Sequence, residues 1–236
     1  MNNLVIDEGN TRIKVARFNR NELLEVRVFK SREDVLAWVS TLPIEALILS
    51  TVQATVWDMN KLETIPFILE LNTSTPLPIQ IPYSTMGTDR IASACGASVL
   101  YPSNTCLVFD TGTCLTHSIL TSEKKLLGGS ISPGLQMRFK ALHHFTGRLP
   151  LIDKSQDLPE TTGKNTPEAI QSGVILGMVA EISYIIQHYH TKHPDLIVLM
   201  TGGDATYFEK TLKEPIFVLP ELTLIGLNSI LQHNVS

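Results

Sequence analysis

One short phrase is written twice in this chain, and the repetition constrains the fold more than any other feature. Leu4-Val5-Ile6 runs into Asp7-Glu8-Gly9-Asn10-Thr11, then into a stretch where Ile13, Val15 and Phe18 are set against Arg12, Lys14 and Arg17. Much later Leu107-Val108-Phe109 runs into Asp110-Thr111-Gly112-Thr113, followed by Cys114, Leu115, Thr116 and then Ser118-Ile119-Leu120. Each copy reads as apolar strand, tight polar turn, second strand. Glycine lets such a turn adopt positive φ and keeps side chains away from whatever lies against the backbone. The hydroxyls and amides can donate to an anion, and the aspartate can hold a metal or a water. Alone, the first copy reads rather as an ordinary hairpin with a polar turn, because short motifs are weak signals. Repeated with its strand context, the phrase predicts a duplicated fold with a cleft between the halves.

The chain has 236 residues, enough for one large domain or two smaller ones, each with its own core. A formal net charge of −4 gives no electrostatic reason to expect nucleic acid or an anionic membrane as partner. No basic segment followed by an apolar core opens the sequence, so a cytoplasmic protein is expected. The longest apolar run, around Gly173 to Ile186, is broken by glycine, serine and Glu181 and reads as too interrupted for a membrane span. Cys95, Cys106 and Cys114 form no Cys-x-x-Cys pair, which argues against a disulfide framework or a zinc site. His188, His190 and His193 crowd the end of a predicted helix, where cations suit the dipole.

The order of elements sharpens the fold. After the first hairpin, Leu23 to Phe29 supplies a third strand, and Ser31 with Asp34 opens a helix carrying Val35, Trp38, Val39 and Leu42. Ala46 to Leu49 then reads as a buried strand. Three strands, helix, strand is how a ribonuclease-H-like domain begins. Thr55 to Leu71 is expected as a helix and a strand, and Asn72 to Pro82 as an extended surface connection. Gly87-Thr88-Asp89-Arg90 precedes a small-residue helix, so Asp89 reads either as a helix cap or as a base beside an anion-holding arginine. The domain break is expected near Tyr101 to Asn104, giving domains 1–102 and 103–236. In the second, Lys124 to Gly128 reads as a third strand and Gly128 to Gly134 as a glycine-rich loop, close to a ligand or simply closely packed. The longest helix starts around Gly163 to Pro167 with Ile170, Val174, Met178, Ile182, Ile185 and Tyr189 on one face. Gly173 and Gly177 on that helix permit close contact with another element or subunit. Leu196 to Met200 leads into Thr201-Gly202-Gly203, a side-chain-free turn on which a base or ribose can rest. Pro220 to His233 reads as a final amphipathic helix.

Asp7-x-Gly9-Asn10-Thr11 with Lys14, Gly87-x-Asp89-Arg90, Asp110-x-Gly112-Thr113, Pro133-Gly134, Gly163-Lys164-Asn165-Thr166 and Thr201-Gly202-Gly203 stand in one order along the chain. That order resembles the type III pantothenate kinases, members of the acetate kinase, sugar kinase, Hsp70 and actin superfamily. The resemblance implies an α/β fold of two ribonuclease-H-like (actin-like ATPase) domains with an interdomain nucleotide cleft, and usually a homodimer. It implies ATP-dependent phosphorylation of pantothenate to 4′-phosphopantothenate, the first step towards coenzyme A. By the same resemblance Asp7, Glu8, Gly9, Asn10, Thr11, Arg12, Ile13 and Lys14 embrace the ATP phosphates, with Asp7 serving Mg²⁺. Thr113 contacts ATP, Thr201, Gly202 and Gly203 border the adenosine, and Asp110 helps hold a monovalent cation, K⁺ or NH₄⁺. Asp89 is the general base, Gly87, Thr88, Asp89 and Arg90 line the pantothenate pocket, and Thr166 touches substrate. Two positions depart from the pattern. Cys114 stands where alanine is common, and Tyr83 lies nearer Gly87 than the substrate-contacting tyrosine of some members.

Other readings compete. A kinase for another small hydroxy-metabolite is the nearest. A non-catalytic nucleotide-binding regulator of the same fold is a second, opposed by the presence of Asp89. An actin-like filament protein is a third, opposed by the short chain.

Overall fold

The computed structural model describes residues 1–9, 12–51, 53 and 57–235. Two compact units divide the chain. Met1–Pro102, Glu123–Leu126 and Glu221–Ser236 make the first, and Ser103–Ser122 with Leu127–Pro220 the second.

In the first unit β1 (Asn2–Glu8), β2 (Ile13–Asn19), β3 (Glu22–Phe29), β4 (Ala46–Thr51) and β5 (Phe67–Glu70) form one sheet in the order β3-β2-β1-β4-β5. The first three strands are antiparallel, and β4 and β5 are parallel to β1. This is the ribonuclease-H-like order. Central β1 is covered on both faces, which is why Leu4, Val5 and Ile6 are all apolar and buried. One face packs on α1 (Arg32–Val39) through Leu4, Ile6, Val15, Leu47, Leu49, Val35 and Val39. Ser31 caps α1 as expected, accepting the Asp34 N–H at 3.2 Å and donating its hydroxyl to Asp34 Oδ2 at 2.7 Å. The helix anticipated between Thr55 and Leu71 is only a single 3-10 turn, Met59–Leu62, among the described residues. Pro66 forbids an extended helix there, and Trp57, Leu62 and Ile65 instead cover the α1 side of the sheet.

The other face carries α2 (Thr88–Leu100) and, against expectation, the last helix, α7 (Leu222–Val235). A domain spanning 103–236 therefore needs correction, since Glu221–Ser236 count with the first unit. The cause is backbone contact between helices. A Cβ on Gly96 would lie 2.2 Å from the Leu222 carbonyl oxygen, and one on Gly226 only 1.7 Å from that of Ala92. Asn228 fastens α7 to the sheet, accepting from Asn3 Nδ2 at 2.8 Å and donating to the Arg20 carbonyl at 2.8 Å.

The second unit repeats the arrangement. β6 (Cys106–Thr111), β7 (Cys114–Leu120), β8 (Leu126–Pro133), β9 (Ile197–Thr201) and β10 (Phe217–Val218) form a sheet in the order β10-β9-β6-β7-β8. Strand for strand, this is the order of the first sheet. The glycine-rich loop expected at 128–134 is instead most of β8. A Cβ on Gly129 would sit 1.8 Å from the His117 carbonyl oxygen, so this glycine serves strand packing. Helices α3 (Leu135–His144) and α6 (Ala205–Thr211) join a continuous helical stretch made of α4 (Thr166–Gln171), a π-helical turn (Ser172–Leu176) and α5 (Gly177–His190). Ile170, Val174, Met178, Ile182 and Ile186 are buried, while Ile185 and Tyr189 are only partly so. By length and composition alone, Thr166–His190 is long and apolar enough to cross a membrane, with hydropathy 1.6, although its interruptions had argued otherwise. Its apolar face is core, packed with Phe109, Leu115, Phe139 and Met200.

Candidate active site

Adjacent strand residues point to opposite faces of a sheet, and this separates Asp7 from Glu8. Asp7 is half-buried and lies in register with Lys14 on β2 and Ser50 on β4. Ser50 donates its hydroxyl to Thr88 Oγ1 at 3.2 Å, tying the sheet to the first turn of α2. Burial raises the Asp7 pKa from 3.8 to about 6; Lys14 pulls it down and the neighbouring Asp89 pushes it up. Asp7, Lys14, Ser50, Thr88 and Asp89 thus form one polar cluster.

Asp89 sits in the first turn of α2, whose N-cap is Gly87. Its Oδ1 accepts the Arg90 N–H at 2.8 Å, and a Cβ on Gly87 would come within 2.5 Å of that same oxygen. Glycine at 87 therefore leaves room for the carboxylate. Asp89 is therefore not the cap of α2; it lies one residue inside the helix and accepts the N–H of its neighbour. Arg90 is buried, and its Nη1 donates to the Tyr83 hydroxyl at 3.2 Å. The shorter loop thus still delivers Tyr83 to the arginine.

The turn after β1 is closed by Gly9 N–H donating to the Arg12 carbonyl at 3.1 Å. Arg12 is exposed, whereas Ile13 is buried in the core and offers only backbone. Asn10 and Thr11, both anticipated at the phosphates, lie outside the described residues. Glu8 was anticipated there too, but its side chain faces the other way, into a ring of donors. Arg32 Nε and Nη2 reach its two oxygens at 2.7 Å each, Thr51 Oγ1 donates to Oε2 at 2.7 Å, and Trp57 Nε1 to the same oxygen at 2.9 Å. Burial opposes ionisation of Glu8, yet these bonds and the Arg32 charge outweigh it and hold the carboxyl below its usual 4.5.

In the second unit, the Asp110 carboxylate stands at the end of β6 between two glycines. A Cβ on Gly112 would be 3.0 Å from Asp110 Oδ1, and one on Gly202 only 2.5 Å. Gly202 also has φ +98°, a conformation that strains any other residue. Thr111 donates its hydroxyl to the Thr201 carbonyl at 3.0 Å and accepts the Asp204 N–H on its own carbonyl at 3.0 Å. Asp110, Gly112, Thr113, Thr201, Gly202 and Gly203 are thereby gathered, with Thr113 and Gly203 exposed. Gly134 closes on this turn, its N–H donating to the Thr113 carbonyl at 3.2 Å. Behind it Arg138 pairs with Glu181 and donates to the Pro133 carbonyl at 2.8 Å. Thr166 stands apart, exposed as the first residue of α4, where Asn165 caps the helix by accepting the Glu168 N–H at 3.0 Å.

Sequence reasoning missed Ser50, Arg32, Thr51 and Trp57. The first and third end a strand already identified and follow from its register. Nothing local marks Arg32 or Trp57. Among the described residues no group of three or more His, Cys, Asp or Glu side chains could hold a metal ion by itself.

Known proteins resemble this chain over its whole length. The family model for type III pantothenate kinase matches residues 3–188. A type III pantothenate kinase of Cytophaga hutchinsonii is 48% identical over 237 residues, covering 99% of this chain and 100% of that protein. One from Porphyromonas gingivalis is 40% identical, covering 99% of each. Among solved structures, a Baf family transcriptional activator from Campylobacter jejuni superposes with TM-score 0.65 at 21% identity, covering 98% of each chain. The activator of 2-hydroxyisocaproyl-CoA dehydratase from Clostridium difficile, with bound ADPNP, gives 0.54 at 12% identity, covering 99% of this chain and 94% of that one. These structural likenesses carry the fold alone, the two-domain actin-like α/β architecture. A family model spanning most of the chain, with full-length relatives at such identity, places it among the type III pantothenate kinases.

Proposed function

We propose that this protein transfers the γ-phosphoryl group of ATP to the 4′-hydroxyl of pantothenate, with Asp89 as general base. The observation that carries the assignment of roles is the cluster of Asp89, Asp7 and Lys14 beside the turn that follows β1. Phosphoryl transfer through a loose transition state needs alignment and charge neutralisation above all. Lys14 and the turn amides suit phosphate oxygens. The Asp89 carboxylate orients the attacking hydroxyl and takes its proton as the bond to phosphorus forms. Buried Arg90, with Tyr83 on its Nη1, is a cationic partner for the pantothenate carboxylate. Thr166 is the remaining residue we assign to substrate.

Mg²⁺ fits beside Asp7. A half-buried carboxylate whose ionisation is opposed by its surroundings favours a cation, and Mg²⁺ typically needs only one or two carboxylates plus phosphate oxygens. Bound there it would neutralise phosphate charge. A monovalent cation fits the Asp110 carboxylate, against which Gly112 and Gly202 place no side chain of their own. We assign Thr113 and Thr201–Gly203 to the nucleotide. A homodimer is supported by an open helix face, since Gly173 and Gly177 are exposed and a Cβ added at either would meet nothing within 4 Å; light scattering should return twice the chain mass.

ADP release in a coupled assay should require pantothenate and increase with K⁺. Turnover indifferent to pantothenate across a panel of hydroxy-metabolites that includes it would overturn the assignment.

A further inference from the structure

We propose that Glu8 is a positioning residue: held by Arg32, Thr51 and Trp57, it sets where the chain leaves β1 at Gly9, on the approach to the ATP phosphates. The proposal rests on the nucleotide-site reading above and deepens it. Glu8 is the last residue of β1 and directly precedes Gly9, so its placement fixes where the turn leaves the sheet. Glu8 is only 6% exposed, and its carboxylate receives four bonds from three separate segments. The two-point contact from Arg32 comes from the start of α1, the hydroxyl of Thr51 from the end of β4, and the indole N–H of Trp57 from the stretch beyond β4. The Arg32 guanidinium also lies 5.0 Å from the Trp57 ring centre, so the donors support one another. A carboxylate held this way cannot swing to a ligand, and it lies on the face of the sheet away from Asp7 and Lys14.

Two-point arginine–carboxylate pairing fixes orientation as well as distance. Displacing reacting groups by about 1 Å can cost on the order of 100-fold in rate. The clamp therefore bears on catalysis without touching the substrate. It also explains an acidic side chain in a turn that receives phosphates. With Arg32 bound to it and the carboxylate facing away, Glu8 presents no repulsive charge to them.

The test uses the full chain and the variants Glu8→Gln, Thr51→Val and Trp57→Phe, with the last two retaining the Glu8–Arg32 pair. Wild type is first checked for pantothenate-dependent ADP release and, separately, for MgADP binding by calorimetry. In folded Glu8→Gln, kcat/KM for ATP should fall about 10- to 100-fold, and the MgADP dissociation constant should rise, while KM for pantothenate stays within about 3-fold. Trp57→Phe and Thr51→Val should each give a smaller loss in the same direction. Combining either with Glu8→Gln should add little further, because all act through one carboxylate. A merely structural role would lower the active fraction and the melting temperature without separating ATP from pantothenate. Unchanged ATP parameters in the folded variants, equal losses for both substrates, or additive double variants would overturn the proposal. Should wild type bind MgADP but ignore pantothenate, the substrate assignment fails, and the calorimetric arm still decides the role of Glu8.

Discussion

Replacing Asp7 with asparagine should stabilise the ligand-free protein near neutral pH while abolishing its activity. In the folded chain the Asp7 carboxyl titrates at about 6, against an ordinary value of 3.8, with burial as the main cause. A raised carboxyl pKa means that the folded state holds the proton more tightly than the unfolded state does. The sign follows. Below the unfolded value both states are protonated and Asp7 costs nothing. Stability then falls as pH rises through the interval between the two values, and above about pH 6 the full cost, about 3 kcal/mol, is present. Asparagine keeps the shape and removes the ionisation. For a chain of this size, about 2–4 °C of melting temperature accompanies each kcal/mol, so the variant should melt roughly 6–12 °C above wild type at pH 8. That gap should narrow at pH 5 and close below pH 4. Calorimetric scans of both proteins across that range test this directly. A gap independent of pH, or an asparagine variant less stable at pH 8, would refute the burial argument. Saturating MgATP should shrink the gap from the other side, because only the wild-type carboxylate is relieved by the cation.

Asp89→Asn should leave the melting temperature within a few degrees of wild type and reduce kcat at least about 100-fold, the lower range for losing a general base; an active variant would remove Asp89 from that role. Gly202→Ala places a methyl against Asp110 at a backbone φ of +98°, and should lose at least about 2 kcal/mol in urea unfolding together with any K⁺ stimulation. Gly226→Ala forces a methyl into the Ala92 carbonyl, 1.7 Å away, and should cost about 3 kcal/mol or more, read as a fall in denaturation midpoint.

The parts of the fold legible in the sequence were those set by local chemistry. Both Asp-x-Gly hairpins, the Ser31 cap and the Asp89 helix start appear where strand alternation and capping chemistry put them. What escaped depended on distant contacts. The glycines of β8 carry a loop signature, and only the His117 backbone lying against Gly129 makes them a strand. In the long helix burial runs from Ile182 to Ile186 with Ile185 only partly covered, a choice between two adjacent isoleucines that residue type does not make. Motif order singled out Asp7 and Asp89 in the first unit and Asp110 in the second as candidates. Strand alternation already sets Glu8 opposite Asp7, but nothing near it in the sequence shows that Arg32 and Trp57, from later segments, meet it there.

The packing of α7 on α2 sets an order of assembly. Residues 103–220 hold nearly all of the second unit in one nearly continuous run, so that unit can close while the ribosome is still at work. The first unit, although begun earlier, must wait for Leu222–Val235 before the glycine face of α2 is covered. Damage confined to α7 would therefore strike the helix that carries Asp89, although α7 lies far along the chain from it.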